Sequence, residues 1–208
     1  MFRWLSIFLV ITTPISVALW WWSKTTTFEC QYDWLIRPIA EVNKIDPLLI
    51  RAVIWRESRF KPNCKGKDGE RGLMQIMEIS AQDWVIREKV KDFDPETLFD
   101  PQTNIQVGTW YLSRSIRRWP ETDNPYVFGL AEYNAGRSNA LRWVDPDHPL
   151  DSQAFLKRID YPTTFRYIQV VLKKHQQYKK GYIQPPWITL WNDWQPKAFR
   201  RLGLERSN

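Results

Sequence analysis

Helical periodicity runs through most of this 208-residue chain and strand signals are nearly absent, which restricts it to a mainly α fold. The clearest segment is residues 47–60. Asp46 can cap its start, and Pro47 suits the first turn. Leu49, Ile50, Val53 and Ile54 recur at helical spacing, and Glu57 falls on the same stripe. A carboxylate on a core-facing stripe loses water, and desolvation raises its pKa. It then stays protonated near neutrality and can act as a general acid. The bland alternative is a structural ion pair with Arg56, Arg59 or Arg71.

Further helices are expected over residues 32–44, 79–89, 101–119, 125–134, 137–144, 152–159 and 163–180. Asp100-Pro101 repeats the cap-and-proline start, and Gly108 inside that helix points to close packing. Residues 61–71 read as a polar loop whose Asp68-Gly69 pair can turn a small hairpin.

The two ends differ from this body. Residues 5–22 carry no charge and lie between Arg3 and Lys24. The length is marginal for a spanning helix, and Pro14 sits inside it. Residues 1–27 are therefore either a signal peptide with Ser16-Val17-Ala18 at the cleavage site, or an uncleaved anchor with Trp20, Trp21 and Trp22 at the interface. Either reading exports residues 28–183 as the folded domain. Residues 184–208 form a basic tail rich in Pro and Trp.

The net charge of +7 suits a polyanionic partner such as a bacterial wall or anionic lipid. No Arg/Lys-rich helix interleaves with aromatics, so nucleic acid is not expected. Thirteen Trp, eight Tyr and ten Phe are many for this length; some must be core, and others can line a groove where sugar rings stack. In an exported chain Cys30 and Cys64 can form one disulfide, contributing about 3–4 kcal/mol by loop closure; two free thiols are the alternative. His148 and His175 are the only histidines, and no cluster has metal-ligand spacing. Neither metal nor cofactor is expected.

Three segments carry chemistry: Glu57-Ser58, Gly72-Leu73-Met74-Gln75-Ile76, and Ala131-Glu132-Tyr133-Asn134-Ala135-Gly136. Such a set adds little to stability, yet a saccharide-cleaving site can use all of it. With Asp100-Pro101, Asn104, Gly108, Tyr111-Leu112, and the run Ile159, Tyr161, Thr164, Tyr167 and Val171-Leu172, it resembles the soluble lytic transglycosylase family of the lysozyme-like superfamily over residues 35–180. The resemblance implies a lysozyme-like helical domain of the goose-type and soluble transglycosylase kind, with at most a small β-hairpin, preceded here by the hydrophobic N-terminal helix. It also implies peptidoglycan glycan strands as substrate and Glu57 as the single catalytic acid and base.

Further roles follow from the resemblance. Met74 and Gln75 would line the groove floor and bond the N-acetyl amide. Tyr133 would hydrogen-bond near Glu57, and Asn134 and Tyr161 would bind substrate. Gly72 and Gly136 would support the backbone, with Gly136 left-handed. Ser58 lies about 100° round the helix from Glu57, so it caps or packs. This chain departs from the family in having Glu132 for Ala, Asp160 for Pro, Thr163 for Glu and Phe165 for Arg. Two other readings stay open. A goose-type hydrolytic lysozyme would draw a second carboxylate from Asp68, Glu70 or Glu132. A non-catalytic wall-binding or assembly protein would use the Trp-rich tail. The partners expected are the glycan strands, the membrane if the N-terminal segment is retained, and cell-wall or secretion-machine proteins. The location expected is the bacterial periplasm, free or anchored at the inner membrane.

Overall fold

The computed structural model describes residues 28–181. The expected N-terminal hydrophobic helix and the 184–208 tail lie outside the described residues. The chain divides into two compact units, Met1–Asp33 and Trp34–Asn208. Of the first, only a short helical turn at residues 28–30 and the approach to α1 are described.

Eight α-helices are described: α1 (Asp33–Asn43), α2 (Pro47–Ser58), α3 (Glu78–Glu88), α4 (Pro101–Arg117), α5 (Pro125–Ala135), α6 (Arg137–Arg142), α7 (Ser152–Arg158) and α8 (Pro162–Gly181). A 3-10 turn at Pro95–Phe99, absent from the sequence expectation, precedes α4. Its start repeats the local signal seen elsewhere: Asp94 Oδ1 accepts from Glu96 N at 2.9 Å, ahead of Pro95. Among the described residues no strand forms. The loop after α2 holds only isolated bridges, Lys65 with Arg71 and Arg71 with Ile76.

The helix starts are fixed as the sequence indicates. Asp46 Oδ1 accepts from Leu48 N at 2.9 Å, and Asp100 Oδ2 from Thr103 N at 2.8 Å. Such caps contribute about 1 kcal/mol each. α2 stops because Arg59 and Phe60 both turn left-handed, at φ 51° and 60°. Its stripe residues Leu49, Ile50, Val53 and Ile54 are fully buried and pack on α8. α5 packs on α4 and α8. An aromatic cluster closes the far side of α5: Phe128 stacks on Phe155 at 4.2 Å between centroids, and Trp119 lies 5.2 Å from Phe128.

Cys30 and Cys64, the two candidates for a disulfide, are both half-buried. The loop that carries Cys64 is fastened through its backbone carbonyl. Cys64 O accepts from Gly72 N at 2.8 Å and from Gln75 Nε2 at 3.1 Å.

Candidate active site

Glu57 ends the α2 stripe and opens into a cavity of about 140 Å3 lined with Glu70, Gln75, Ile76, Met77, Ser80, Tyr111, Tyr133 and Asn134. Burial pushes its carboxyl up to about 7, against the opposing pull of the Tyr167 hydroxyl and the Arg56 cation; the Glu70 carboxylate adds to the rise. The ion pairs that would have made Glu57 structural do not form among the described residues. Arg71 pairs with Glu78 at 3.6 Å and Glu96 at 3.4 Å, and the Arg59 guanidinium lies 3.4 Å over the Trp55 ring. Arg56 lies 5.5 Å over the Tyr167 ring.

The segment from Gly72 to Ile76 is folded so tightly that its parts face different ways. Gly72 has φ 75°, and a Cβ there would come within 2.2 Å of Leu98 O, so only glycine fits. Gln75 is also left-handed, at φ 50°. Asn104, fully buried on α4, clamps the turn. Its Oδ1 accepts from Met74 N at 2.7 Å, and its Nδ2 donates to Arg71 O at 2.8 Å and Leu98 O at 2.7 Å. Met74 therefore does not line the groove floor. It is fully buried, with its sulfur in the space that the missing side chain of Gly108 leaves open. Ile76 and Met77 take the apolar place in the cavity wall instead.

Gln75 reaches the cavity, but its amide nitrogen donates to Cys64 O and Gly72 O, so its first task is to hold the loop. The Tyr133 hydroxyl donates to Met74 O at 2.8 Å, which fixes α5 against this segment. Its ring packs against Tyr111 at 5.6 Å. Asn134 lines the cavity and makes no side-chain hydrogen bond among the described residues, so its amide faces the cavity unengaged. Gly136 has φ 83° and ψ 159°, the positive φ expected there and one that favours glycine.

Other expected site residues lie elsewhere. Ser58 is buried, and its hydroxyl donates to Ile54 O at 3.2 Å, a structural back-bond. Glu132 is fully buried behind α5, bonded to Arg118, to Trp119 Nε1 at 3.0 Å and to Arg137 at 3.3 Å. Its place among three donors explains why a carboxylate is tolerated there, and it takes Glu132 out of the chemistry. Tyr161 is exposed, packs on Trp143 at 5.3 Å and lines no part of the cavity. Asp160 is held there by Trp143 Nε1 at 2.7 Å and by Arg142 at 2.8 Å.

Sequence reasoning missed Tyr167 at the site. It is buried on α8, its hydroxyl has no partner in good hydrogen-bond geometry, and that hydroxyl lowers the pKa of Glu57. The available signal was a tyrosine, with a polar tip, on an otherwise apolar helical stripe.

A helical domain here presents a desolvated glutamate to an aromatic- and amide-lined cavity. Residues 35–155 match the family model described as the transglycosylase SLT domain, and the chain belongs to that family. The chain is 28% identical over 169 residues to the soluble lytic murein transglycosylase of Escherichia coli K12, covering 80% of this chain and 26% of that one. It is 31% identical over 190 residues to the membrane-bound lytic murein transglycosylase F of Yersinia enterocolitica, covering 77% of this chain and 37% of that one. The crystal structure of the 70 kDa soluble lytic transglycosylase of Escherichia coli superposes with a TM-score of 0.66 at 29% identity, covering 74% of this chain and 25% of that one. That of the lytic transglycosylase Slt of Pseudomonas aeruginosa gives 0.68 at 23% identity, covering 76% and 25%. The chain thus spans about a quarter of the length of these soluble relatives.

Proposed function

We propose that this protein is a peptidoglycan lytic transglycosylase that cleaves the β-1,4 bond between N-acetylmuramic acid and N-acetylglucosamine without consuming water. The observation that carries this reading is Glu57, whose carboxyl, held up to about 7 by burial, opens into the cavity. At neutral pH a large share of it holds a proton, as a general acid must.

In this mechanism protonated Glu57 gives its proton to the glycosidic oxygen as the bond to the anomeric carbon breaks. The resulting carboxylate takes the proton from the muramoyl 6-hydroxyl. That oxygen attacks the anomeric carbon, closes a 1,6-anhydro ring, and returns Glu57 to its protonated state. One carboxylate suffices because the sugar supplies its own nucleophile. The N-acetyl group of the substrate stabilises the cationic centre. Asn134 and the Tyr111 and Tyr133 rings would hold the sugar, while Gln75 and Asn104 keep the wall in place. The hydrolytic alternative loses two of its three carboxylates, since Glu132 is bonded behind α5 and Asp68 does not line the cavity.

The setting proposed is the bacterial envelope: periplasmic, or held at the inner membrane by the segment before residue 28. The membrane-bound relative supports the second form. Among the described residues no helix is long and apolar enough to cross a membrane. The test is clearance of a purified peptidoglycan suspension. Wild type is expected to lower its turbidity with an activity that declines above about pH 7, and Glu57→Gln to leave it unchanged. Equal clearance by both would end the proposal.

A further inference from the structure

Glu70 is the least explained residue of the cavity. It sits in the wall with Glu57, so two carboxylates share a small, half-buried space. Glu70 Oε2 accepts from Asp68 N at 3.0 Å. No cation pairs with it among the described residues, although Lys65, Lys67 and Arg71 are close in sequence. An unpaired carboxylate beside the residue that must hold a proton is a destabilising arrangement, and such arrangements cluster at functional sites. The loop is also shaped for it. A Cβ on Gly66 would lie 2.1 Å from Glu70 Oε2 and 2.7 Å from its carboxyl carbon, so the carboxylate occupies the room that a side chain at position 66 would take. Gly66 N donates to Glu70 O at 2.8 Å, which anchors the two residues together.

We propose that Glu70 is a substrate-positioning residue: its carboxylate, seated in the space over Gly66 and steadied by the Asp68 amide, accepts a hydrogen bond from a hydroxyl or acetamido N–H of the sugar in the Glu57 cavity. The inference rests on the glycan-cleaving reading of that cavity. Binding a polar donor explains why the negative charge is kept there unpaired. It also has a consequence for Glu57. Arg56 on α2 and the Tyr167 hydroxyl on α8 pull its pKa down, while burial and Glu70 push it up; Tyr133 on α5 faces it as a neutral phenol. Removing the Glu70 charge therefore moves the alkaline limb of activity to lower pH.

The test separates binding from turnover. Affinity for a chitin tetrasaccharide is measured by calorimetry on full-length Glu57→Gln and on Glu57→Gln/Glu70→Gln. The second variant should bind roughly tenfold more weakly, the loss expected for a hydrogen bond to a charged acceptor. Gly66→Ala, which displaces the carboxylate, should weaken binding to a similar degree in the Glu57→Gln background, and should add nothing to Glu70→Ala. Glu70→Asp should recover part of the affinity. Unchanged affinity in Glu57→Gln/Glu70→Gln overturns the proposal, whatever the wild type does to peptidoglycan. Failure of wild-type cleavage with a Glu70-dependent affinity would instead overturn the transglycosylase reading and leave Glu70 as a saccharide ligand.

Discussion

Replacing Glu57 by Gln should make the protein more stable, and by an amount that depends on pH. The folded carboxyl titrates at about 7 against an ordinary value of 4.5. Below pH 4.5 the proton is bound in both folded and unfolded chains, and the group contributes nothing to any pH dependence. Between the two values the folded state keeps a proton that the unfolded state has released, so stability falls as pH rises. Above about 7 the fall is complete. The shift of about 2.5 units corresponds to about 3 kcal/mol, the cost of burying the charged form. Gln mimics the neutral acid in shape and never ionises. Glu57→Gln should therefore unfold with the wild type at pH 4 and be more stable by about 3 kcal/mol at pH 8. In a domain of this size that is roughly 6–12 °C in Tm. Thermal and urea unfolding of both proteins across pH 4–8 measures it. A stability difference that stays constant over that range, or a less stable variant at pH 8, would refute the claim that Glu57 is desolvated.

Other perturbations have equally definite outcomes. Tyr167→Phe removes a hydroxyl that lowers the Glu57 pKa, so the alkaline limb of the activity profile should move to higher pH. Asn104→Ala breaks the clamp on the Gly72–Ile76 turn and strands two carbonyls and an amide, costing about 3 kcal/mol in urea unfolding and most of the activity. Glu132→Ala should cost about 3 kcal/mol by leaving Arg118 and Trp119 without their acceptor, while the remaining folded protein keeps its pH profile. Gly108→Ala forces a methyl within 2.5 Å of the Met74 sulfur and should destabilise by about 1–3 kcal/mol, seen as a lower urea midpoint.

The helices were legible because their signals are local. Asp46-Pro47 and Asp100-Pro101 mark two starts, and the stripe on α2 gives both its burial and the outlook of Glu57. The 3-10 turn at Pro95–Phe99 carries the same Asp-Pro start but is five residues long, too short to show a period. What periodicity does not give is the direction of side chains in a tight turn. Gly72 and Gln75 at positive φ reverse the chain within four residues, which sends Met74 into the core and leaves Met77 at the cavity. Nor does a stripe name its partner. Tyr167 and Glu132 both lie on buried helix faces, yet one acts on the acid and the other holds three donors behind it. Only the packing of α2, α4, α5 and α8 distinguishes them.

The central claim is that the substrate's own hydroxyl, and not water, closes the reaction begun by Glu57. Digestion of purified peptidoglycan in water enriched in oxygen-18, followed by mass spectrometry of the released muropeptides, tests it most directly. The account requires products one water lighter than reducing muropeptides, free of the heavy isotope, and absent with Glu57→Gln. Reducing ends that carry oxygen-18 would contradict it and make the protein a hydrolase.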